Sequence, residues 1–265
     1  MLLLTHSEQI YYLTNLNISK LVKVNMTTFV PRSTVMRLLQ DVKDIIKNPL
    51  ESQGIYYKHD ESDMLKGTAL IVGPKDTPYE NGFYFFKFEF PNDYPNSPPK
   101  VKYMTNDGQT RFNPNFYRNG KVCLSILNTW KGDQWSACQG LSSVLLTLVS
   151  TFNETPLCNE PGFGEHHRDV IPYNEIIKYQ NYIVAILGMI DTKKYLPDIG
   201  KLYTETMNEL YKQNYSDIIK HITKQRSSKQ NKYYISIYNM NCQPDYEYLY
   251  NKFQEFTPDK LITKN

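Results

Sequence analysis

The stretch Phe83-Tyr84-Phe85-Phe86-Lys87-Phe88-Glu89-Phe90, followed by Pro91-Asn92-Asp93-Tyr94-Pro95-Asn96-Ser97-Pro98-Pro99, sets the reading of this chain. In its first part Tyr84, Phe86, Phe88 and Phe90 share one face of an extended backbone and Lys87 and Glu89 take the other, the alternation of a half-buried antiparallel strand. The second part holds four prolines, which cannot donate to a ladder, so it reads as an irregular bend. Two strand-like segments come before it, Ile55 to His59 and Lys66 to Val72, set off by Gly73-Pro74 and Asn81-Gly82. A fourth, Lys100 to Met104, follows the bend. Upstream, Val35, Leu38, Leu39, Val42, Ile45 and Ile46 recur at helical spacing between a capping Ser33 and a stop at Asn48-Pro49.

Downstream, Leu141, Val144, Leu145, Leu148, Val149 and Phe152 mark a strongly apolar helix with Ser136 available as its cap. Tyr173, Ile176, Ile177, Ile183, Val184 and Leu187 suggest another helix, and residues near 197 to 223 a further one. Between the fourth strand and the apolar helix, residues 106 to 135 carry no period, and long ordered loops of that kind are usually functional. Helix, four strands, long loop and helices is an α+β pattern built on an antiparallel meander.

The chain has 265 residues, enough for one domain with a large extension or for two small ones. Lys and Arg number 30 against 27 Asp and Glu, a net +3 that lacks the basic excess of a binder driven by nucleic-acid charge. The longest apolar run, Ile183 to Leu187 with Gly188, Met189 and Ile190, falls far short of the roughly 20 residues that span a bilayer. Met1-Leu2-Leu3-Leu4 is too short for the core of a secretory leader. The four cysteines at 123, 138, 158 and 242 show no CxxC spacing, which argues against structural zinc, and a reducing compartment, cytoplasmic or nuclear, is the expectation.

Cys123 lies in the structureless stretch, directly after Gly120-Lys121-Val122 and eight residues after Asn115. A thiolate serves thioester chemistry as nucleophile and later as leaving group. An amide side chain beside it can stabilise the oxyanion, an interaction whose loss typically costs about 2.7 to 4 kcal/mol of barrier. By itself the spacing is weak, because a cysteine flanked by Val122 and Leu124 is more often a packing residue.

The surrounding motifs decide between these readings. Gly73-Pro74, Thr77-Pro78-Tyr79 and Gly82 lead to Phe90-Pro91, Tyr94-Pro95 and Pro98-Pro99, then to Asn113-Pro114-Asn115, Gly120-Lys121-Val122-Cys123-Leu124 and Trp135-Ser136. In this order and spacing, over about residues 33 to 165, they resemble the signature of the ubiquitin-conjugating (E2) enzymes. The longer Asn128 to Gln134 loop and Asn159-Glu160-Pro161-Gly162-Phe163 are similar to the larger members that carry a helical C-terminal extension. The resemblance implies the ubiquitin-conjugating fold and three regions: an N-terminal lead-in over 1–32, a catalytic core over 33–171 and a mainly helical extension over 172–265.

By that resemblance, Cys123 accepts ubiquitin or a ubiquitin-like modifier from an activating enzyme (E1) and passes it to a lysine amine or to a ligase cysteine. ATP is consumed by the activating enzyme, and the chain needs no metal or organic cofactor of its own. Asn115 takes the oxyanion role, with loop support as an equal alternative. Asn113 stands where the family has a histidine, and adjusted loop packing with retained activity is expected. Glu160 is the candidate carboxylate beside the thioester that favours a deprotonated lysine, with Asn159 the neighbouring counterpart of the family's acidic position. Arg37, Lys43 and Lys47 on the first helix are candidates for contact with the activating enzyme, although a charged helix face is more often merely solvated. Asn96 and Ala137 occupy the ligase (E3) docking positions, where many members place a large apolar residue and a Ser-Pro-Ala run, so an atypical docking surface is expected. Tyr79, Tyr94 and the prolines at 95, 98 and 99 are expected to hold the bend, Trp130 and Trp135 to anchor core or loop, and Cys138 and Cys158 to be ordinary thiols. His166-His167 has no companion ligands and is not read as a metal site.

Two rivals stand beside the enzyme. A non-catalytic binding module of the same fold would characteristically lack the cysteine, and a papain-like protease would need a positioned histidine that no motif supplies. Buttressing the core, recruiting one activating enzyme and binding substrates are all open roles for the extension.

Overall fold

The protein is described by a computed structural model covering residues 30–191, 198–228 and 231–262. Residues 1–29 of the expected lead-in, and residue 197 at the start of the last expected helix, lie outside the described residues. Among the described residues, the helix α1 (Arg32–Lys47) is followed by β1 (Ile55–His59), β2 (Lys66–Val72), β3 (Phe83–Glu89) and β4 (Lys100–Tyr103), which pair antiparallel in chain order. Strands β1 and β2 lie where the alternation puts them, and β3 and β4 each end one residue earlier. In register, Ile71 faces Tyr84 and Ala69 faces Phe86, so their side chains share the inner face of the sheet.

Against that face packs α2 (Leu141–Ser150), whose Leu141, Val144, Leu145 and Leu148 are fully buried. Phe152 just beyond it touches Tyr84 at 4.7 Å and Phe116 at 5.3 Å between ring centroids, joining helix, sheet and loop in one aromatic cluster.

Both expected helix caps are corrected. Ser33 lies inside the first turn of α1, and Pro31 takes the capping position, its preset φ suiting a helix start. Ser136 lies well ahead of α2, whose N-cap is Gly140. The donor at the start of α2 is satisfied instead from α1, where the Asp41 carboxylate accepts the Leu141 N–H at 3.3 Å. Asp41 also accepts from Arg37 Nε at 2.9 Å and from the Tyr94 hydroxyl. Arg37 in turn donates to the carbonyls of Ala137 (2.7 Å) and Gln139 (2.5 Å). A buried acid with three partners thereby ties α1, the proline-rich bend and the entry to α2 into one corner. The bend itself turns at a cis Tyr94-Pro95 bond, and Trp135 Nε1 donates to the Pro95 carbonyl at 2.7 Å, as the anchoring expectation has it.

Beyond the core, α3 (Val170–Gln180) crosses the expected boundary at 171/172 and continues as a π-helical stretch, Asn181–Leu187. Asn181 is buried there, accepting from the Tyr84 hydroxyl at 2.6 Å and donating to the Glu80 carbonyl at 2.9 Å. Gly82 permits this approach, since a Cβ at that position would lie 2.0 Å from the Asn181 amide oxygen. After Asp198–Tyr203 come α4 (Thr204–Arg226), a hairpin of β5 (Tyr233–Ile235) and β6 (Met240–Cys242), α5 (Tyr246–Glu255) and the short α6 (Pro258–Ile262). Helical periodicity named no element beyond about residue 223, and there the extension holds a β-hairpin as well as the two further helices. Among the described residues, no helix is long and apolar enough to cross a membrane.

The half-buried reading of β3 holds only for its second half. Phe83 and Phe85 are as buried as Tyr84 and Phe86, while Lys87 and Glu89 are exposed. Tyr203 covers the outer face, its ring 5.8 Å from Phe85 and its hydroxyl bonded to both the hydroxyl and the carbonyl of Thr68. Lys58 reaches over the same ring, and its ammonium donates to the Leu202 carbonyl at 2.6 Å. Tyr203→Ala is therefore expected to lower unfolding stability by about 3 to 5 kcal/mol, the usual range for a buried aromatic cut to alanine. Denaturant unfolding of the full chain measures this, and an unchanged midpoint would show that the extension only rests on the sheet.

Candidate active site

The candidate active-site loop is extended backbone held by a few ladder-like bonds. Cys123 N donates to the Asn115 carbonyl at 2.9 Å, and Tyr117 N to that of Lys121 at 2.9 Å, which lays the cysteine strand against the Asn-Pro-Asn turn. Gly120 makes the reversal between them at φ 88°, a conformation that a side chain would strain. Thr129 then wraps the far side. Its hydroxyl accepts from Leu124 N at 2.9 Å and donates to the Val122 carbonyl at 3.0 Å, while its carbonyl accepts the Cys123 thiol at 2.9 Å.

Asn113 is completely buried and spends its amide on structure. Its Nδ2 donates to the Tyr79 hydroxyl at 3.0 Å and to the Thr151 carbonyl at 2.8 Å, and its Oδ1 accepts from Asn115 N at 2.9 Å. Tyr79, buried and bonded to the Phe112 carbonyl, holds the other side of the turn. The Thr151 carbonyl accepts a second amide, Asn159 Nδ2, at 3.1 Å. One acceptor at the end of α2 thus positions both the turn that carries Asn115 and the loop that carries Glu160.

These loops form a cleft of about 20 Å³ lined by Pro114, Asn115, Tyr117, Cys123, Trp130, Asn159, Glu160 and Pro161. That space holds about one water. Cys123 is 4% exposed and Trp130, on the long loop, is 46% exposed. The anchoring expectation for Trp130 is corrected: it borders the cysteine cleft, while the loop is closed behind it by Trp135 N donating to Asn128 Oδ1 at 2.8 Å.

Asn115 Nδ2 donates to the Cys123 carbonyl at 2.8 Å, and its Oδ1 has no partner among the described residues. The amide is thus beside the thiol and engaged in loop support. Asn159 is used up on Thr151 and Asn153, leaving Glu160 as the carboxylate of the cleft. Glu160 accepts from the Tyr238 hydroxyl at 2.6 Å, a partner from the C-terminal hairpin that no local spacing pairs with it.

Of the residues expected at partner surfaces, Lys47, Asn96 and Ala137 are exposed and Lys43 is partly so. The Trp135–Pro95 bond brings the Asn96 and Ala137 loops to one corner, and Arg37 is turned into that corner by its bonds to Asp41, Ala137 and Gln139.

Burial pushes the Cys123 thiol above its ordinary range, and Glu160 adds to the shift, while the charges of Lys121 and Arg111 oppose it. The thiolate fraction of Cys123 is thereby kept below that of an ordinary exposed thiol, and its reactivity rises toward alkaline pH. Iodoacetamide at neutral pH is expected to label exposed Cys138 first and Cys123 slowly, with the Cys123 rate rising toward alkaline pH. Peptide mapping over a pH series checks this, and preferential Cys123 labelling at pH 7 would contradict it. Asn113→Ala should cost about 1 to 3 kcal/mol by orphaning Asn115 N, since Tyr79 and Thr151 keep other partners. Asn113→His should lose less, and thermal unfolding of the two variants makes the comparison.

The family model described as ubiquitin-conjugating enzyme matches residues 37–171. The chain is 50% identical over 167 residues to ubiquitin-conjugating enzyme E2 Z of Xenopus tropicalis, covering 62% of this chain and 53% of that protein. It is 48% identical over 167 residues to the Homo sapiens protein of the same description, covering 62% of this chain and 47% of that one. The solved structure of human ubiquitin-conjugating enzyme E2 G1 matches with a TM-score of 0.41 and 32% identity, covering 47% of this chain and 98% of that chain. The chain spans about half the length of the curated relatives it matches. With the family model matching residues 37–171, the span that holds most of the first helix, the four-stranded meander and the Asn-Pro-Asn to Cys123 loop, the chain belongs to the ubiquitin-conjugating enzyme family.

Proposed function

We infer that this chain is an active conjugating enzyme, which takes ubiquitin or a ubiquitin-like modifier from an activating enzyme as a thioester on Cys123 and passes it to a lysine amine or a ligase cysteine. The observation that carries this reading is a thiol in a cleft with an amide donor at its own carbonyl and a carboxylate lining the same cleft. In charging, the Cys123 sulfur attacks the thioester carbonyl and the activating enzyme's cysteine leaves, its sulfur taking up the displaced proton. ATP is spent upstream, so the chain itself calls for no cofactor. The resting thiol is shielded, with Cys123 4% exposed in a cleft bordered by Trp130, Glu160 and Pro161.

In lysine transfer, Asn115 steadies the oxyanion through the Nδ2 hydrogen not held by Cys123, and Glu160 favours the deprotonated amine. Residues 33–171 carry this chemistry and 172–265 support it, with 1–32 as lead-in. Lys43 and Lys47 present charge on α1 to the activating enzyme. Arg37 serves that surface through its hold on the α1 corner. Asn96 and Ala137 offer a ligase a polar, shallow contact in place of an apolar one. A free thiol is needed throughout, so the working compartment is reducing, cytoplasmic or nuclear.

The test is charging. With an activating enzyme, ATP and ubiquitin, the purified chain should gain a reductant-sensitive adduct; Cys123→Ser should give only a reductant-resistant ester. An unchanged thioester in Cys123→Ala would refute the assignment, and a panel of activating enzymes with different modifiers identifies the cognate pair.

A further inference from the structure

We propose that Tyr238, at the tip of the C-terminal hairpin, is a positioning residue for lysine transfer that holds the Glu160 carboxylate in the Cys123 cleft. This rests on the reading of Cys123 as the thioester site. The tip is a tight turn between β5 and β6, with Asn239 N bonded to the Ser236 carbonyl at 3.0 Å and Asn239 at φ 46°. It is fastened to the active-site loop from several sides. Arg118 Nη2 donates to the Tyr238 carbonyl at 2.7 Å, and Arg111 N donates to Met240 Sδ at 3.1 Å. The Arg111 guanidinium lies 3.5 Å from the Tyr117 ring centre and 5.3 Å from that of Tyr238, and the Tyr173 ring lies 6.1 Å from Tyr238. Arg111 also bonds the carbonyls of Asn113 and Pro114, so the residue that seats the hairpin also braces the Asn-Pro-Asn turn.

Fixed in this way, the Tyr238 hydroxyl donates to Glu160 Oε2 at 2.6 Å. Among the described residues no other side chain bonds that carboxylate, so Oε1 is left for the incoming substrate. Glu160 sits on a loop with Pro161 and Gly162 beside it, and without Tyr238 its side chain would sample several rotamers. A carboxylate held at one place speeds proton transfer in a way that a freely rotating one does not.

In the step itself, the lysine ammonium gives one proton to Glu160 Oε1, and the neutral amine attacks the thioester carbonyl. The C–N bond forms and the C–S bond breaks. The second proton leaving nitrogen restores the Cys123 thiol, and Glu160 returns its proton to water.

The experiment uses the full chain charged with ubiquitin, with further charging then blocked, and follows loss of the thioester in a single turnover. With free lysine as acceptor, Tyr238→Phe should discharge about tenfold more slowly through kcat with the lysine KM unchanged, a part of the roughly 10²-fold that a positioned base supplies. With hydroxylamine, which is unprotonated at neutral pH, Tyr238→Phe should match the parent. In a Glu160→Gln background, Tyr238→Phe should add no further loss. Equal lysine discharge by Tyr238→Phe, an equal drop with hydroxylamine, or an additive loss with Glu160→Gln would each overturn the proposal. Failure of the parent chain to charge on Cys123 would instead overturn the thioester reading.

Discussion

The geometry of the cleft depends on one backbone acceptor. At the C-terminal end of α2 the Thr151 carbonyl takes hydrogen bonds from Asn113 and Asn159, and through them the turn carrying Asn115 and the loop carrying Glu160 are held to the same point. Carbonyls at a helix end have no partner within the helix, so this one is free to organise what packs around it. Because α2 is itself buried against the sheet, that acceptor is as fixed as the core. The loop with no periodicity of its own thus inherits rigidity from a helix whose Leu141, Val144, Leu145 and Leu148 are completely buried.

A second constraint runs through buried charge. Asp41 lies on the buried face of α1 with three partners, one of them the first N–H of α2, and an acid in that place is tolerated because its hydrogen bonds replace water. The consequence reaches the surface: Arg37, one of three basic residues expected to meet a partner, is bound inward to the corner between α1 and the Ala137 loop. The extension likewise belongs to the folded unit. Asn181 and Tyr203 grip the two faces of the sheet, and Tyr238 reaches the cleft.

Much of this was legible. Alternation located the four strands to within a residue, and helical spacing located α1, α2 and the α3 region, because those patterns follow from which side chains must leave water. The loop-packing role of Asn113 rests on short-range donors and an acceptor, and its three bonds are of that kind. The caps were misplaced because the donors they should satisfy are met by tertiary partners, Asp41 above all. Trp130 was assigned to anchoring since tryptophan usually buries, yet its setting in the polar run Asn128 to Gln134 was a signal that it faces outward.

By itself the sequence determined the meander, the apolar helix and the order of motifs around Cys123, since periodicity and turn chemistry act over a few residues and leave a local record. Only the tertiary structure decided that the outer face of β3 is covered and that a hairpin tyrosine meets Glu160 across 78 positions. Contacts of such separation depend on how whole elements pack, and no local spacing encodes which hydroxyl will reach which carboxylate.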